Sequence, residues 1–217
     1  MKILIFSDTH LYNKFDVKQY RFLKKIISKA DKVIINGDFW DSYRTNFDQF
    51  IKSKWRGLFP ILKQKNTIYL YGNHDPVDKI NDKWSLFADE FKQKHIIKIN
   101  KKNIIIEHGN NQVYAIDERI NFLKHFRFIG LFIMKLEELG IKNIGYNFSD
   151  LWFYRKKQNI NVQKFVNKHH KNDLMVCGHI HKWYQSKNYI NLGYISYGHA
   201  SYVVIDNNNI NLIKEKY

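Results

Sequence analysis

Five short apolar runs in this 217-residue chain stop abruptly at Asp, Asn or His, and that repetition limits what the chain can fold into. The clearest is Val33-Ile34-Ile35-Asn36-Gly37-Asp38-Phe39-Trp40-Asp41, where the run meets a glycine and a carboxylate follows at once. Such a pattern reads as a buried strand ending in a loop, with Asp38 at the strand's C-terminal end. Ligand sites of open α/β sheets gather at that edge. The other runs lead into Asp8, Asn73, His108 and His179.

The first third alternates strand and helix. Residues 2–7, 32–36 and 67–71 read as strands. Residues 16–29 read as an amphipathic helix with Phe22, Leu23, Ile26 and Ile27 at helical spacing, and 47–64 as a helical stretch interrupted near Gly57 and Pro60. This rhythm implies a parallel sheet with right-handed crossovers. A short helix over 84–92 and strands at 96–99 and 104–107 are expected next. From Arg119 to His170 strand signals vanish, and the segment contains the most apolar piece of the chain, Phe126 to Leu136. We read 119–171 as a helical, basic and apolar cap inserted in one α/β domain spanning 1–217. Strands resume at 174–177, 183–185, 189–192, 202–205 and 210–213, with Asn207-Asn208-Asn209 as a turn between the last two.

A hydrophobic fraction of 44% with 16% aromatics indicates a folded globule rather than a disordered chain. One cysteine, Cys177, excludes a disulfide framework and fits a reducing, cytoplasmic setting. The N-terminal apolar run is too short for a signal peptide, and no uncharged segment reaches the ~18 residues that span a bilayer. The expected protein is soluble, or at most peripheral at a membrane surface. Of the formal net charge of +16, half lies between Arg119 and Lys171, where eleven Lys and Arg face three acids. That favours an anionic partner: a phosphorylated small molecule, a lipid-linked phosphate, nucleic acid or an acidic membrane. Oligomeric state is not written in any of these features.

Asp8-Thr9-His10 places two potential ligands two residues apart, and His179-Ile180-His181 repeats the spacing late in the chain. In extended backbone, residues i and i+2 point the same way, so each pair is expected to reach one ion. With Asp38, Asn73 and His108 they form a set of carboxylate, imidazole and carboxamide donors. Such a set suits Mn, Fe or Zn better than a thiolate-preferring metal.

The series Ser7-Asp8-Thr9-His10, Gly37-Asp38-Phe39-Trp40-Asp41, Gly72-Asn73-His74-Asp75, His108-Gly109 and Gly178-His179-Ile180-His181 resembles the calcineurin-like metallophosphoesterase superfamily. The resemblance implies a β-sandwich flanked by helices, a four-layer α/β/β/α fold. It implies that Asp8, His10, Asp38 and His181 hold one divalent metal ion. Asp38, Asn73, His108 and His179 would hold a second, with Asp38 bridging and Mn the first expectation. His74 resembles the family's catalytic histidine, placed to protonate the leaving alkoxide or stabilise phosphoryl charge. Asp41 and Asp75 would orient imidazoles and loops. Two metals about 3.5–4 Å apart stabilise attacking and leaving oxygens in an in-line displacement, and a water between them ionises near neutral pH. The expected activity is hydrolysis of a phosphodiester or pyrophosphate bond by a metal-bridging hydroxide, on a nucleotide or lipid conjugate. The alternatives are a nucleic-acid phosphodiesterase and, from another class, a metal-free scaffold.

The stretch Phe122 to Met134 is apolar almost all round its helix, and Arg119, Lys124 and Arg127 flank it. This would suit a lipid tail beneath a phosphate-binding rim, with the cap's own small core as the other reading. A basic helical insertion between the His-Gly and Gly-His-x-His motifs resembles the UDP-diacylglucosamine pyrophosphate hydrolases of lipid A synthesis. Those enzymes usually carry Arg where His74 stands and tend to have Asp where Asn110 stands, departures that favour the general phosphoesterase. His199, in the loop Gly198-His199-Ala200, is a further candidate to touch substrate.

Overall fold

The computed structural model describes residues 1–116, 127–148 and 154–217. Strands β1 (Ile3–Phe6), β2 (Lys32–Asn36), β3 (Ile68–Leu70) and β4 (Glu90–Lys92) lie parallel and in that order. Strand β11 (His199–Asp206) runs antiparallel to β1 and carries β10 (Ile195–Ser196) and β12 (Asn209–Lys216), completing a seven-stranded sheet. A second, five-stranded sheet has the order β5 (Lys94–Ile99), β6 (Lys102–Glu107), β7 (Leu174–Cys177), β9 (Tyr189–Asn191) and β8 (Tyr184–Gln185), with β6, β7 and β9 parallel.

The alternation of side chains along each strand sorts the chain into layers. Ile3, Ile5, Ile34, Ile68 and Leu70 of the first sheet meet Ile104, Ile106, Leu174, Val176 and Ile190 of the second. On the other face of the first sheet, Leu4, Phe6, Val33, Ile35 and Tyr69 pack on Phe22, Leu23, Ile26 and Ile27 of helix Val17–Ser28 and on Leu58 and Leu62. Met175, Cys177 and Tyr189 turn outward from the second sheet onto Val113 of helix Asn110–Ile116 and onto Val162 and Val166 of helix Arg155–His169. The result is the four-layer α/β/β/α sandwich. Helix Arg155–His169, within the segment read as an insertion, thus supplies part of the outer layer. Helix Arg127–Ile144 stands between the two outer helices in sequence, on the side of the metal-type residues described below.

Local chemistry explains most boundaries. Asp16 caps its helix by accepting from the Lys18 and Gln19 amides at 2.8 and 3.1 Å. The β11–β12 hairpin closes through Asn207 and Asn208, both with positive φ, as a two-residue hairpin turn requires. The stretch 47–64 divides into helix Phe47–Lys52, a 3-10 turn Lys54–Leu58 and helix Phe59–Gln64, with Pro60 in the first turn of the last. The helix expected over 84–92 is not formed. A 3-10 turn, Asp82–Leu86, leads instead into β4, where Phe91 packs on Tyr69 with ring centroids 5.1 Å apart. A three-residue edge strand is too short to display a period of two. Among the described residues no helix is long and apolar enough to cross a membrane.

Candidate metal centre

Every motif residue leaves the C-terminal end of a parallel strand. Asp8 and His10 follow β1, Asp38 follows β2, Asn73 to Asp75 follow β3, His108 follows β6, and His179 and His181 follow β7. Backbone bonds knit these loops: Asp8 N–H to Gly37 O at 3.1 Å, His10 N–H to Asp38 O at 3.0 Å and Gly178 N–H to His108 O at 2.9 Å. The pairs at i and i+2 do not converge through extended backbone. Asp8, His10, Asp38, His179 and His181 all have φ between 45° and 68°. This left-handed conformation costs a residue with a Cβ free energy and concentrates where function demands it. Two glycines make room for the carboxylates. A Cβ on Gly72 would lie 2.3 Å from Asp38 Oδ1, and one on Gly178 would lie 2.3 Å from Asp8 Oδ2.

The side chains form two groups sharing Asp38. In the first, Asp8, His10, Asp38 and His181 bring one donor atom each within 4.8 Å of the others. His10 Nε2 and His181 Nε2 lie 3.0 Å apart, and His181 Nε2 is 3.2 Å from Asp8 Oδ1. In the second, His108 Nε2 lies 3.2 Å from Asp38 Oδ2 and 3.2 Å from Asn73 Oδ1, which is 2.7 Å from His179 Nδ1. His108 donates its Nδ1–H to Asn36 O at 2.9 Å, which aims Nε2 at the cluster.

These residues fit divalent cations. Asp8 and Asp38 are fully buried, and their ionic contacts among the described residues are to imidazoles alone. Asp38 Oδ2, at the junction of the groups, makes no well-directed hydrogen bond and faces His108 Nε2 at 3.2 Å and His10 Nε2 at 3.9 Å. A buried carboxylate oxygen so placed is costly unless positive charge meets it. The 3.0 Å between two imidazole nitrogens is what two ligands at about a right angle on one ion impose, each about 2.1 Å from it. The electrostatics agree. Burial alone would lower the His108 imidazole, but Asp38 beside it outweighs this and pushes it up to about 10. His181, with burial likewise opposed by Asp8 and Glu137, is pushed up to about 9. Burial would raise Asp38, yet His108 and His74 hold it well below the usual carboxylate range.

Around the cluster, the remaining motif residues position loops and rings. His74 donates its backbone N–H to Asp38 Oδ1 at 2.8 Å, and its Nδ1 lies 3.2 Å from Asp41 Oδ1. Its ring stands edge-on to His10, centroids 4.6 Å apart. Asp41 also holds Arg44, Oδ2 to Nε 3.1 Å. Asp75 accepts from the amides of Asp38, Phe39 and Gly72 and from the Tyr69 hydroxyl, tying the loops after β2 and β3 together. Burial and the neighbouring Asp38 raise its carboxyl to about 6.

Not every candidate joins. His199 starts β11, with its ring 5.3 Å from Tyr146, and lines neither cleft beside the cluster. Arg119 and Lys124 lie outside the described residues, and Arg127 is described in its backbone alone, as the first residue of its helix. The sequence reading missed Glu137, whose Oε2 is 3.4 Å from His181 Nδ1, and Arg155, 3.6 Å from Glu137 Oε1. It also missed Arg44 and Tyr43, the latter with its ring centroid 4.4 Å from that of His74. A cleft of about 300 Å³ opens beside Asn73 and His108, lined by Tyr43, Tyr71, Gln93, Glu107, Asn110 and Asn111. Another, of about 320 Å³, opens beside His10, lined by Tyr12, Lys14, Arg44 and Tyr197.

Residues 1–183 match the family model of the calcineurin-like phosphoesterases. The chain belongs to that family. As a calcineurin-like phosphoesterase it is a metal-dependent phosphoester hydrolase, and its Asp and His cluster is able to hold the metal. Solved structures similar to it include an archaeal phosphodiesterase, 17% identical over 99% of each chain with a TM-score of 0.49. Yfce, a phosphoesterase from E. coli, is 15% identical over 98% of this chain and 92% of its own, also at 0.49. Vps29 from Entamoeba histolytica, complexed with zinc, is 12% identical over 100% of this phosphoesterase and 99% of its own chain, again at 0.49. No curated protein matches.

Proposed function

We propose that this phosphoesterase uses two divalent cations to hydrolyse a phosphodiester or pyrophosphate bond, in the cytoplasm, on a nucleotide or lipid conjugate. The observation that carries the reading is Asp38, buried between two groups of donors with one oxygen that makes no well-directed hydrogen bond. Asp8, His10, Asp38 and His181 would hold one ion; Asp38, Asn73, His108 and His179 the other. The donors are hard or borderline, and Cys177 points away into the outer core, which favours Mn, with Fe and Zn next. Bound there, the cations would lower the pKa of the attacking water and offset charge on the phosphoryl oxygens.

The protein's own groups do the rest. Asp41 orients His74 through Nδ1, which leaves Nε2 to deliver a proton to the departing oxygen. Left-handed loops hold the donors before any ligand arrives, so little reorganisation accompanies binding. Clefts on both sides of the cluster support a substrate with a group on each side of the phosphorus, as in a diester. One is lined by tyrosines, Gln93, Asn110 and Glu107; the other carries Lys14, Lys18 and Arg44 beside Asp16 and Glu138. A lipid-linked substrate draws support from Phe132, Leu136 and Leu139, exposed along one side of helix Arg127–Ile144.

Hydrolysis of a bis-aryl phosphodiester and an aryl monophosphate by metal-stripped protein, with Mn, Fe, Zn, Mg or nothing restored, tests this. Metal-dependent turnover, faster on the diester and lost in Asp38→Ala, is expected. Protein that binds no metal would refute the proposal, and monoester preference would overturn its substrate half.

A further inference from the structure

Among the described side chains of helix Arg127–Ile144, a carboxylate faces inward beside Ile141 while large apolar groups face outward. Phe132, Leu136 and Leu139 face outward, while the carboxylate of Glu137 is buried at 4% exposure. Glutamate is almost never buried unless paired. Its partners explain it. Oε2 lies 3.4 Å from His181 Nδ1, Oε1 lies 3.6 Å from Arg155 Nη2, and the far nitrogen of His181 lies 3.2 Å from Asp8 Oδ1.

The same segment grips the following residues of that loop. Asn147 accepts from Lys182 Nζ at 2.9 Å, the Tyr146 hydroxyl accepts from Trp183 N–H at 3.2 Å, and Asn159 Nδ2 donates to Lys182 O at 3.0 Å. The space enclosed by Asp8, His10, Glu137, Ile141, His181 and Tyr194 is about 10 Å³. That is about the minimum for one water, so no substrate group reaches Glu137 there.

We propose that Glu137 is a positioning residue of the metal centre: it fixes the His181 ring with Nε2 aimed at Asp8 and His10, so the helix sets affinity at that position. The inference rests on the two-metal reading above. An acceptor at Nδ1 fixes the tautomer and orientation of a metal-bound imidazole and raises its basicity, and loss of such a partner typically costs ~10–100-fold in metal affinity.

Three variants test it, read by chelator competition with Mn, by the visible spectrum of the Co(II) form and by thermal unfolding of metal-free protein. Glu137→Ala removes the acceptor, Glu137→Asp withdraws it by one methylene, and Glu137→Gln keeps both reach and an accepting oxygen. The Ala and Asp variants are expected to weaken one of two bound metals roughly 10–100-fold, leave the other unchanged and alter the Co(II) spectrum. The Gln variant is expected to stay within a few-fold of the parent protein. Unchanged affinities, or equal loss of both metals in step with metal-free stability, would overturn the proposal. So would a Gln variant as weak as Ala, since charge rather than orientation would then be the cause. Should the Ala variant fail to fold, the Asp and Gln pair decides. Parent protein binding fewer than two metals would remove the two-metal reading, and this inference with it.

Discussion

His108 and His181 stand on opposite sides of Asp38 and are held by different kinds of structure. The His108 side chain is 1% exposed, its Nδ1–H bonds a backbone carbonyl of β2, and its ring fills the space over Gly37. The sheet that builds the core therefore also aims this imidazole. The His181 side chain is 14% exposed, and its Nδ1 faces a carboxylate on a helix outside the two sheets. Backbone support cannot be removed without breaking the strand, whereas a side-chain carboxylate 3.4 Å away can move with its helix. The half built on His108 is thus a property of the fold. The half built on His181 depends on the segment that carries Glu137, and anything that displaces helix Arg127–Ile144 would reach the metal centre through it.

The largest expected effect comes from attacking the fixed half. Gly37 has φ +81°, and a Cβ there would sit 2.4 Å from His108 Nδ1. Gly37→Ala combines left-handed strain of about 1–2 kcal/mol with displacement of a buried ring. The variant is expected to melt well below the parent and to lose the metal on the His108 side, as metal content and a thermal scan would show. Glu137→Asp, in contrast, is expected to change affinity at the other position with a smaller change in melting. If Gly37→Ala binds both metals with normal affinity, the fixed half is not fixed by the backbone.

A middle effect separates proton delivery from both halves. Asp41 contacts His74 and Arg44 and clusters with His10 and His74, outside the two groups that share Asp38. Asp41→Asn is expected to lower kcat roughly tenfold to a hundredfold, a fraction of the ~10²–10⁴ that positioned acid catalysis supplies. Both metals should remain at parental affinity. Equal loss of metal and rate would instead make Asp41 part of the metal centre.

Much of this was legible in the chain because strands ending at Asp, Asn or His require only a period of two and an abrupt stop. The layers follow from alternation: Ile3 and Ile5 against the second sheet, Leu4 and Phe6 against helices. Other features left no mark. Left-handed backbone at Asp8, His10 and His181 is carried by side chains that give no glycine signal, so i and i+2 spacing read as extended. Glu137 was hidden for the opposite reason. Periodicity assigns charge to the outside of a helix, and a carboxylate turned inward breaks that rule where the metal centre requires it. Arg44 and Tyr43 are placed by the turn after Asp41, whose Oδ1 accepts from the Tyr43 amide at 3.0 Å, a local bond that spacing alone does not reveal.

The smallest expected effect tests how much the fixed half can lose. Tyr69 is fully buried on β3 and donates its hydroxyl to Asp75 Oδ2 at 2.5 Å, beside the Phe39 amide that bonds the same oxygen at 2.8 Å. Tyr69→Phe removes one of four donors to Asp75 and leaves the carboxylate satisfied by three amides. The loss of one buried hydrogen bond is worth about 1 kcal/mol, or roughly 2–4 °C in Tm for a domain of this size. Metal affinity on the His108 side should be unchanged within twofold, because the loops after β2 and β3 remain tied by backbone donors. A large drop in affinity would mean that the second half, like the first, hangs on a single side chain, and the contrast between His108 and His181 would disappear.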